Sequence, residues 1–542
     1  MIAKATSGTS QSLWLDALLA AFAGAIAVAA FAPFHAWPVA LLSLTMLFAL
    51  WHRAQGVWRA TFIGFCWGLG LFLVGVPWIY VSLHTYGGMP APIAALAVLL
   101  FCAYLSLFPA LAGFVQSKLK CTPRWQLLAL MPAAFVAAEA LRGWVVSGFP
   151  WLIMGYSQTP SADTIAPVAA PLAGYAPLFG VFGISLLLAF SAGAMVLASA
   201  KLSRAIPAMR LRQALGATAA AIWIGGLVLG AYEWSQPSGK PIPVSLAQGN
   251  VPQNLKWRED QAAASLENYL QLVAQSRGKL IVLPETALPF MLQDVPASVK
   301  TALAEDVRAK GGDLLMGIAY RSTGGTSAAA SRIVGNAAES EFRYYNGAVS
   351  LGTAAPQQYA KRHLVAFGEF VPPLFSWVYQ WLRIPLSGFT PGDDQQSPML
   401  LSGHQVAVNI CYEDAFGAEI ARQLPAAELL VNLSNMAWFG TYLAADQHAQ
   451  FSQMRALETA RWMLRSTNTG VTAAIDEKGR IVAALPQFTR GVLEVNAVPM
   501  QGATLYVRWR DWPVFLLLVL VLGASAYLRR RFETGRSASK AI

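Results

Sequence analysis

Long apolar stretches alternate with short polar segments over the first 240 residues of the chain, and a further apolar stretch lies near its end. These stretches lie at 13–30, 36–51, 60–81, 91–114, 126–141, 176–200, 214–232 and 512–528. Most of them reach the ~17–25 residues that a membrane-spanning helix needs. The pattern therefore predicts about eight transmembrane helices, seven of them before residue 240.

Residues 241–505 have a different pattern, in which short apolar runs alternate with amphipathic segments. Runs such as "KLIVLPE" and "QVAVNICYE" are typical of buried strands, whereas the spacing of apolar positions predicts helices over 260–277 and 444–465. Such alternation is typical of an α/β sandwich, in which helices cover a sheet. We therefore expect an N-terminal membrane domain at 1–240, an α/β domain at 241–505, and a last transmembrane helix with a basic tail at 506–542.

Charge distribution predicts the orientation of these parts. The formal net charge is +11 although only 12% of the residues are charged. The connections after the second, fourth, sixth and eighth apolar stretches carry most of the basic residues of the membrane part: Arg53, Arg59, Lys118, Lys120, Arg124, Lys201, Arg204, Arg210, Arg212 and the tail "LRRRFETGR". The positive-inside rule then places both termini in the cytoplasm and residues 241–505 on the opposite side. This topology explains the excess positive charge, so we expect no nucleic-acid partner.

The four cysteines are distributed unevenly over these parts. Cys66 and Cys102 lie in predicted spans, Cys121 lies in a predicted cytoplasmic connection, and Cys411 is alone in the external domain. A lone external thiol has no partner for an intramolecular disulfide. Two interpretations remain open from the residues alone: a buried cysteine that acts as a small hydrophobe, or a nucleophile.

Polar residues that could take part in catalysis lie at the ends of predicted strands, where α/β proteins often form their sites. Glu285 follows "LIVLP", Lys361 lies in "YAKRHLVAFGEFVP" with Glu369 after it, and Cys411 follows "VAVNI". Taken singly, each has an ordinary interpretation as a surface acid, a member of a solvated basic run, a helix-start acid or a buried thiol. Together they supply a base, a cation and a thiol on one scaffold.

These residues lie in motifs that resemble the nitrilase, or carbon–nitrogen hydrolase, superfamily: "LPET", "KRHLVAFGEFVP" and "ICYED". Four further motifs and the multi-span N-terminal half make nearly the whole chain similar to the membrane-embedded apolipoprotein N-acyltransferase family: "GFPWLIMGYSQ", "QGNVPQNLKW", "NLSNMAWFG" and "RALETARWMLRSTNTGVTAAID". The chain departs from the family pattern at Ala366, where proline is frequent, at Phe370, where tyrosine is usual, and at Met436, where an acid is common.

The resemblance implies a nitrilase-like αββα sandwich with a catalytic Glu285, Lys361 and Cys411. Cys411 would attack an ester and form a thioester, while Glu285 would take the thiol proton. Lys361, helped by a backbone N–H near Tyr412, would stabilise the oxyanion of the tetrahedral intermediate. Glu369 and Glu413 are expected to hold Lys361 and Glu285 in place.

The resemblance also implies the substrates and the location. The acyl donor would be a membrane phospholipid, and the acceptor would be the N-terminal amine of a diacylglyceryl-modified cysteine in an apolipoprotein. The enzyme would lie in the bacterial inner membrane, with its catalytic domain facing the periplasm. We expect no cofactor and no metal.

Aromatic residues near the motifs are candidates for substrate or lid contacts. They are Trp151 in "GFPW", Trp257 and Trp438, together with the segment "FSWVYQWLRIPLSGF" at 375–389. The functional interpretation is a membrane-facing lid that admits acyl chains to Cys411. The alternative is that these are ordinary core or interfacial aromatic residues.

Two other functions are compatible with some of the same observations. A membrane-tethered amidase or nitrilase that hydrolyses a carbon–nitrogen bond would share the triad and the thioester, and spacing alone does not separate it from the acyltransferase. A transporter or scaffold would need charged residues inside the spans. Only Asp16, Glu139 and Arg142 approach that position.

Overall fold

The computed structural model describes residues 13–161, 170–199, 208–254, 256, 259–323, 342–371 and 388–540. Its N-terminal part is helical, as the apolar stretches predict. The main helices are α1 (Leu13–Ala27), α2 (Pro38–Arg53), α3 (Val57–Gly75), α4 (Ala91–Lys118), α5 (Met131–Arg142), α6 (Ala176–Ala198) and α7 (Ala208–Ala231).

Among the described residues, six apolar helical stretches are long enough to cross a membrane, so the predicted count of about eight is wrong. The six are Leu13–Ala30, Val57–Gly75, Ala91–Lys118, Pro171–Ala198, Gln213–Ala231 and Trp512–Arg531. The stretches predicted at 36–51 and 126–141 form α2, of 16 residues, and α5, of 12 residues. The uninterrupted α-helical part of α5 rises about 18 Å, which is short of the ~30 Å hydrocarbon core.

Local chemistry determines where these two helices begin. Pro38 occupies the first turn of α2, the position where a missing N–H costs nothing, so the helix begins there. A short α turn, Pro123–Trp125, precedes α5, and a wider π turn, Gln126–Leu130, separates the two, so the uninterrupted α-helix from Met131 has only 12 residues.

The bundle packs closely where glycines face neighbouring backbones. A Cβ on Gly24 of α1 would lie 1.9 Å from the carbonyl oxygen of Trp67 in α3, and one on Gly64 of α3 would lie 2.3 Å from that of Pro109 in α4. Small residues are the usual means of bringing membrane helices together, because lipid supplies no hydrophobic force between them. Any larger side chain at Gly24 or Gly64 would separate these helices.

Two six-stranded sheets form the framework of the C-terminal part. In the first sheet the strand order is β13–β2–β3–β4–β5–β6, and in the second it is β12–β11–β10–β9–β8–β7. The strands are β1 (Gln236–Pro237), β2 (Ile242–Gln248), β3 (Leu280–Leu283), β4 (Asp313–Thr323), β5 (Phe342–Gly352), β6 (Gln358–Ala360), β7 (Met399–Leu401), β8 (His404–Ile410), β9 (Leu429–Ser434), β10 (Met463–Thr467), β11 (Ala473–Ile475), β12 (Ile481–Ala484), β13 (Gly491–Ala497) and β14 (Met500–Gln501), the last of which pairs with β1.

The sheets are layered as an αββα sandwich, so the predicted fold class is confirmed. Apolar side chains of both sheets meet between them, among them Leu246 and Val282 of the first sheet and Val408 and Val431 of the second. Helices α8 (Glu259–Gln275) and α9 (Ala297–Ala309) cover the outer face of the first sheet. Helix α10 (Ala444–Thr459) covers the second, and α11 (Leu505–Trp509) leads into the long C-terminal helix α12 (Trp512–Lys540).

Helix α10 joins the two parts of the molecule. Every residue of α10 except Asp446 is buried, because one side packs on the second sheet and the other on the membrane bundle. Its polar side chains bond the bundle: Gln450 Nε2 donates to Thr159 Oγ1 at 2.9 Å, and Glu458 Oε1 accepts the Val181 N–H at 2.9 Å. The predicted helix over 444–465 is six residues too long, because Ala460 turns the chain with a left-handed φ of 50° before β10 begins.

Candidate active site

The three predicted catalytic residues each follow a strand directly or after one proline. Glu285 comes two residues after β3, Lys361 follows β6, and Cys411 follows β8. Strand β3 lies between parallel β2 and β4 in the first sheet, and β8 lies parallel to β9 in the second. The strand ends of the two sheets meet here, and their side chains form one buried group.

We call Glu285, Asn346, Lys361 and Glu369 the triad cluster, since these side chains bond one another. The Lys361 ammonium lies 2.9 Å from Glu369 Oε1 and 3.4 Å from Glu285 Oε1. The Asn346 amide donates to the same two oxygens, at 2.6 Å and 2.8 Å. Each carboxylate also accepts a backbone N–H on its second oxygen: Asn435 to Glu285 at 3.0 Å and Val365 to Glu369 at 2.7 Å. The carboxylates and the cation are thereby held in one arrangement.

The charges of the triad cluster act on Lys361 and on the Cys411 thiol. Burial alone would lower the pKa of Lys361, but Glu369, Glu285 and Cys411 together raise it above its ordinary value. Burial and the Glu285 carboxylate raise the pKa of the Cys411 thiol, and the Lys361 ammonium opposes them. Cys411 therefore rests as a thiol, and its use as a nucleophile would require a base to remove its proton.

The backbone at Cys411 bends sharply from β8 into a short 3₁₀ turn, Cys411–Ala415. Its φ of 53° lies in the left-handed region, which costs a non-glycine residue about 1–3 kcal/mol. Two donors hold its carbonyl: Asn432 Nδ2 at 3.0 Å and His448 Nε2 at 3.1 Å. The expected oxyanion donor, the N–H of Tyr412, belongs to the first turn after this bend, where amides precede the intrahelical bonds.

A second buried group lies behind this bend, and we call Asp414, His448, Ser452 and Arg465 the support cluster. Asp414 Oδ1 lies 2.8 Å from His448 Nε2, and Asp414 Oδ2 accepts from Ser452 at 2.6 Å and from Arg465 at 3.0 Å. Arg465 Nη2 lies 2.8 Å from His448 Nδ1, and because arginine only donates, Nδ1 is the acceptor and Nε2 carries the proton. Burial and Arg465 lower the pKa of His448, so its ring is neutral.

Glu413, expected to be a supporting residue, bonds mainly backbone N–H groups on both sides of the site. Its carboxylate accepts the Ile410 N–H at 2.6 Å, the Arg362 N–H at 2.7 Å, the His363 N–H at 3.2 Å and the Tyr359 hydroxyl at 2.9 Å. Burial raises its pKa to about 7 against these donors. Glu413 therefore braces the backbone before Cys411 and after Lys361, whereas Glu369 contacts Lys361 itself.

Two of the aromatic candidates, Trp151 and Trp438, lie at the junction of the two parts. Trp151 is buried and stacks on Tyr412 with ring centroids 6.3 Å apart, and the Tyr412 hydroxyl donates to the Gly148 carbonyl at 2.9 Å. Trp438 is half-buried and packs edge-on against Tyr86 at 6.0 Å. Trp257 and residues 372–387, which hold most of the proposed lid segment, lie outside the described residues.

A glutamine of α10 connects the membrane bundle to this site. Gln447 Oε1 accepts the indole N–H of Trp151 at 2.6 Å and that of Trp78 at 3.3 Å, and its Nε2 donates to the Gly75 carbonyl at 3.0 Å. The next residue is His448, which contacts Cys411. One turn of α10 thus touches both the end of α3 and the bend that carries the thiol.

Sequence reasoning missed Asn346, Gln447 and the support cluster. Asn346 is an amide in the mostly apolar run "YNGAVSLG", and that polar residue was its only local signal. The polar residues of α10 carried a signal too, since "AADQHAQFSQMRALET" shows no clear apolar face and yet is buried. A helix of that kind has to meet polar partners on several sides.

Comparison with known proteins assigns the family. Residues 23–194 match the family model described as "Apolipoprotein N-acyltransferase N-terminal domain", and residues 244–504 match "Carbon-nitrogen hydrolase". Proteins named apolipoprotein N-acyltransferase are similar along nearly their full length. The one from Nitrosomonas europaea is 46% identical and covers 94% of this chain and 97% of its own length. Those from Chromobacterium violaceum and Methylococcus capsulatus are 43% and 42% identical, with 96% of this chain covered in both and 96% and 100% of their own lengths.

Among solved structures, a carbon-nitrogen hydrolase from Helicobacter pylori G27 aligns at 14% identity with a TM-score of 0.33, covering 54% of this chain and 94% of its own. The family models, the near full-length relatives and the membrane-length helices agree with one another. This membrane protein belongs to the apolipoprotein N-acyltransferase family, within the carbon–nitrogen hydrolases.

Proposed function

We propose that this chain transfers an acyl chain from a membrane phospholipid, through a thioester on Cys411, to the N-terminal amine of a diacylglyceryl-modified cysteine in apolipoproteins. One observation carries the proposal. A thiol, a carboxylate and an ammonium converge on a domain whose helix α10 is packed against membrane helices. A nucleophile so placed is suited to acyl donors and acceptors that remain in the bilayer.

The first half-reaction forms the acyl-enzyme. Glu285 takes the proton of the Cys411 thiol as sulfur attacks the ester carbonyl of the phospholipid. Lys361 lies beside the developing oxyanion and stabilises it. The carbon–oxygen bond of the ester then breaks, and Glu285 returns its proton to the leaving oxygen, which departs with the lysophospholipid.

The second half-reaction uses the same groups with an amine as nucleophile. The amine attacks the thioester carbonyl, Glu285 accepts an amine proton, and the carbon–sulfur bond breaks to give an amide. The departing thiolate recovers a proton from Glu285. A thioester acylates an amine far more readily than an oxygen ester does, and two easier steps replace one difficult step.

The location follows from charge and from the chemistry of the substrates. We propose that both termini lie in the cytoplasm and that the catalytic domain faces the periplasmic side of a bacterial inner membrane. The basic residues Arg210 and Arg212 before the span Gln213–Ala231, and the basic tail that begins at Arg529, support this orientation, because they flank on their far sides the two spans that bound the catalytic domain. Trp151 and Trp438, at the junction between domain and bundle, are proposed contacts for the acyl chains.

The test is the mass of the intact protein after incubation with phospholipid. Wild-type protein and Cys411→Ala are compared, with Cys121→Ala as a matched control that removes a thiol outside the site. The proposal requires a hydroxylamine-labile acyl adduct on wild type and Cys121→Ala, and none on Cys411→Ala. The acyl-enzyme is then given a diacylglyceryl peptide amine or water alone.

N-acylated peptide supports transfer. Rapid loss of the adduct in water, with no acylated peptide, supports the hydrolase instead. An unmodified wild type, or peptide acylation by Cys411→Ala, would rule out the thioester route.

A further inference from the structure

Lys256 is a second buried lysine beside Glu285, and the proposed reaction gives it no part. It is 1% exposed, and its ammonium donates to Thr286 Oγ1 at 2.7 Å and to the backbone carbonyl of Glu285 at 3.3 Å. Burial lowers the pKa of Lys256 to about 8, and the Glu285 charge opposes this by raising it. Burying an ammonium is costly unless its contacts compensate, so these two bonds require an explanation.

The turn that Lys256 contacts is strained. Thr286 has a φ of 44°, and the left-handed region is a genuine outlier for a β-branched residue, with a cost of about 1–3 kcal/mol. This strain lies directly after Glu285. The bonds of Lys256 end on the two residues that form the turn, so they oppose its relaxation.

Strand β4 confines the same turn from its other side. A Cβ on Gly317 would lie 2.4 Å from the Pro284 carbonyl oxygen and 2.7 Å from the Glu285 Cα, so the backbone is pressed against a glycine. The Ala287 N–H also donates to the Gly317 carbonyl at 2.8 Å. Strand β4 thus confines the turn from one side, and the Lys256 ammonium confines it from the other.

The segment before Lys256 also supports the Glu285 carboxylate. The Asn435 N–H donates to Glu285 Oε2 at 3.0 Å, and the Asn435 side chain donates to Gln253 Oε1 at 3.0 Å. Gln253 and Lys256, three positions apart, therefore both support Glu285. Lys256 bonds the backbone carbonyl of Glu285, and Gln253 bonds Asn435, which in turn bonds the Glu285 carboxylate.

We propose that Lys256 is a positioning residue for the general base: its ammonium holds the strained Glu285–Thr286 turn, which keeps the Glu285 carboxylate on Lys361 and within reach of the Cys411 thiol. The inference rests on the proposed function, because it assigns Glu285 the role of base. Its effect is on the chemical step, since Lys256 is buried behind Glu285. A displacement of about 1 Å in a reacting group can cost 10²-fold in rate.

The experiment measures single-turnover acylation of Cys411 by intact mass, using the full-length protein and a series of phospholipid concentrations. For Lys256→Met we expect a maximal rate ~10–100-fold lower with an unchanged half-saturating phospholipid concentration. Lys256→Arg should recover most of the rate, and Thr286→Val, which loses the nearer acceptor, should show a smaller drop. Lys310→Met is the matched control, because Lys310 also donates to a backbone carbonyl, that of Val273 at 2.7 Å, and it should acylate at the wild-type rate.

A wild-type maximal rate in folded Lys256→Met overturns the inference, and so does a loss confined to phospholipid affinity. If Lys256→Met does not fold, Thr286→Val decides: a reduced maximal rate supports positioning, and a wild-type rate overturns it. An adduct on wild type together with full-rate Lys256→Met contradicts only this inference. A wild type that forms no adduct contradicts the proposed function as well.

Discussion

Cys411 lies between two buried clusters of similar composition. The triad cluster contains two carboxylates and one ammonium, and Asn346 bridges the carboxylates. The support cluster contains one carboxylate, one guanidinium, a hydroxyl and a neutral imidazole. Each contains an acid, a cation and a third polar group, and each acts on Cys411, the first through charge and the second through a bond to its carbonyl.

The difference between them lies in charge balance and in the atom that each contacts. The triad cluster keeps one negative charge in excess and is coupled to the thiol, so it can take up a proton. The support cluster is balanced, and His448 Nε2 bonds the carbonyl oxygen of Cys411. A cysteine–histidine pair identified by proximity alone would therefore name a different base from the Glu285 that we propose. The geometry gives His448 the task of holding a left-handed residue.

The largest expected effect tests which cluster supplies the base. Glu285→Gln removes the proton acceptor and should slow acylation of Cys411 by ~10²–10⁴-fold in an intact-mass time course. His448→Gln keeps an N–H donor for the Cys411 carbonyl and should stay within ~10-fold of wild type. A larger loss of acylation rate in His448→Gln than in Glu285→Gln would contradict this assignment, because His448 would then be the base.

The next effect tests the support cluster as a structural element. Asp414→Asn leaves Arg465 buried without its carboxylate and should cost about 3–5 kcal/mol of unfolding free energy, measured by denaturant titration in detergent. Burial alone would raise the pKa of Asp414, but His448 and Arg465 hold it below the ordinary 3.8. The stabilisation is therefore present above that pH and is lost as pH falls through the lower folded value, a dependence that Asp414→Asn should lack. Equal stability of the two proteins at neutral pH would contradict the assignment.

Lys361 gives a third test, in which acylation and thiol reactivity separate. Lys361→Met should slow acylation by ~10²–10³-fold, the usual effect of losing an oxyanion donor. It should also slow alkylation by iodoacetamide at pH about 8, because the ammonium lowers the Cys411 pKa and only the thiolate reacts. Glu285→Gln should instead speed alkylation while it slows acylation, because that carboxylate raises the thiol pKa. If the alkylation rate changed in the same direction in both variants, the opposite electrostatic roles of Lys361 and Glu285 would be contradicted.

The smallest effect concerns the junction with the membrane bundle. Gln447→Met removes three bonds, to Trp78, Trp151 and Gly75, and should cost about 1–3 kcal/mol of unfolding free energy in a thermal scan. Gln487→Met is the control, since it loses a single hydrogen bond, to Asp446, at a partly exposed position. It should change the free energy of unfolding by less than about 0.5 kcal/mol. A shift of equal size in both variants would show that Gln447 does no more than a surface residue.

Local pattern predicted the parts of this molecule that depend on local chemistry. Apolar runs located the membrane helices and the buried strands, and the strand-end positions of Glu285, Lys361 and Cys411 followed from them. The length of α5 was mispredicted because a π turn and a short helix share one apolar stretch. Glu413 was expected to help hold Lys361 and Glu285 in place, but the sequence did not show that its carboxylate acts on the backbone, at the N–H groups of Ile410 and Arg362.

Contacts between distant residues account for the rest. Asn346 meets Glu285 across 61 positions, and Gln447 meets Trp151 across 296. Such pairs depend on how sheets and helices pack, which periodicity does not encode. Lys256 lay within a motif already noted for its resemblance, but nothing local distinguished it from an exposed lysine.

The burial of α10 has a consequence for the way the molecule comes apart. The same helix forms the outer layer of the sandwich and a wall of the membrane bundle, so neither part can lose its structure without exposing the apolar surface of the other. The two parts should therefore melt in a single cooperative transition rather than in two. Residues 241–505 expressed alone would present that surface to water and aggregate.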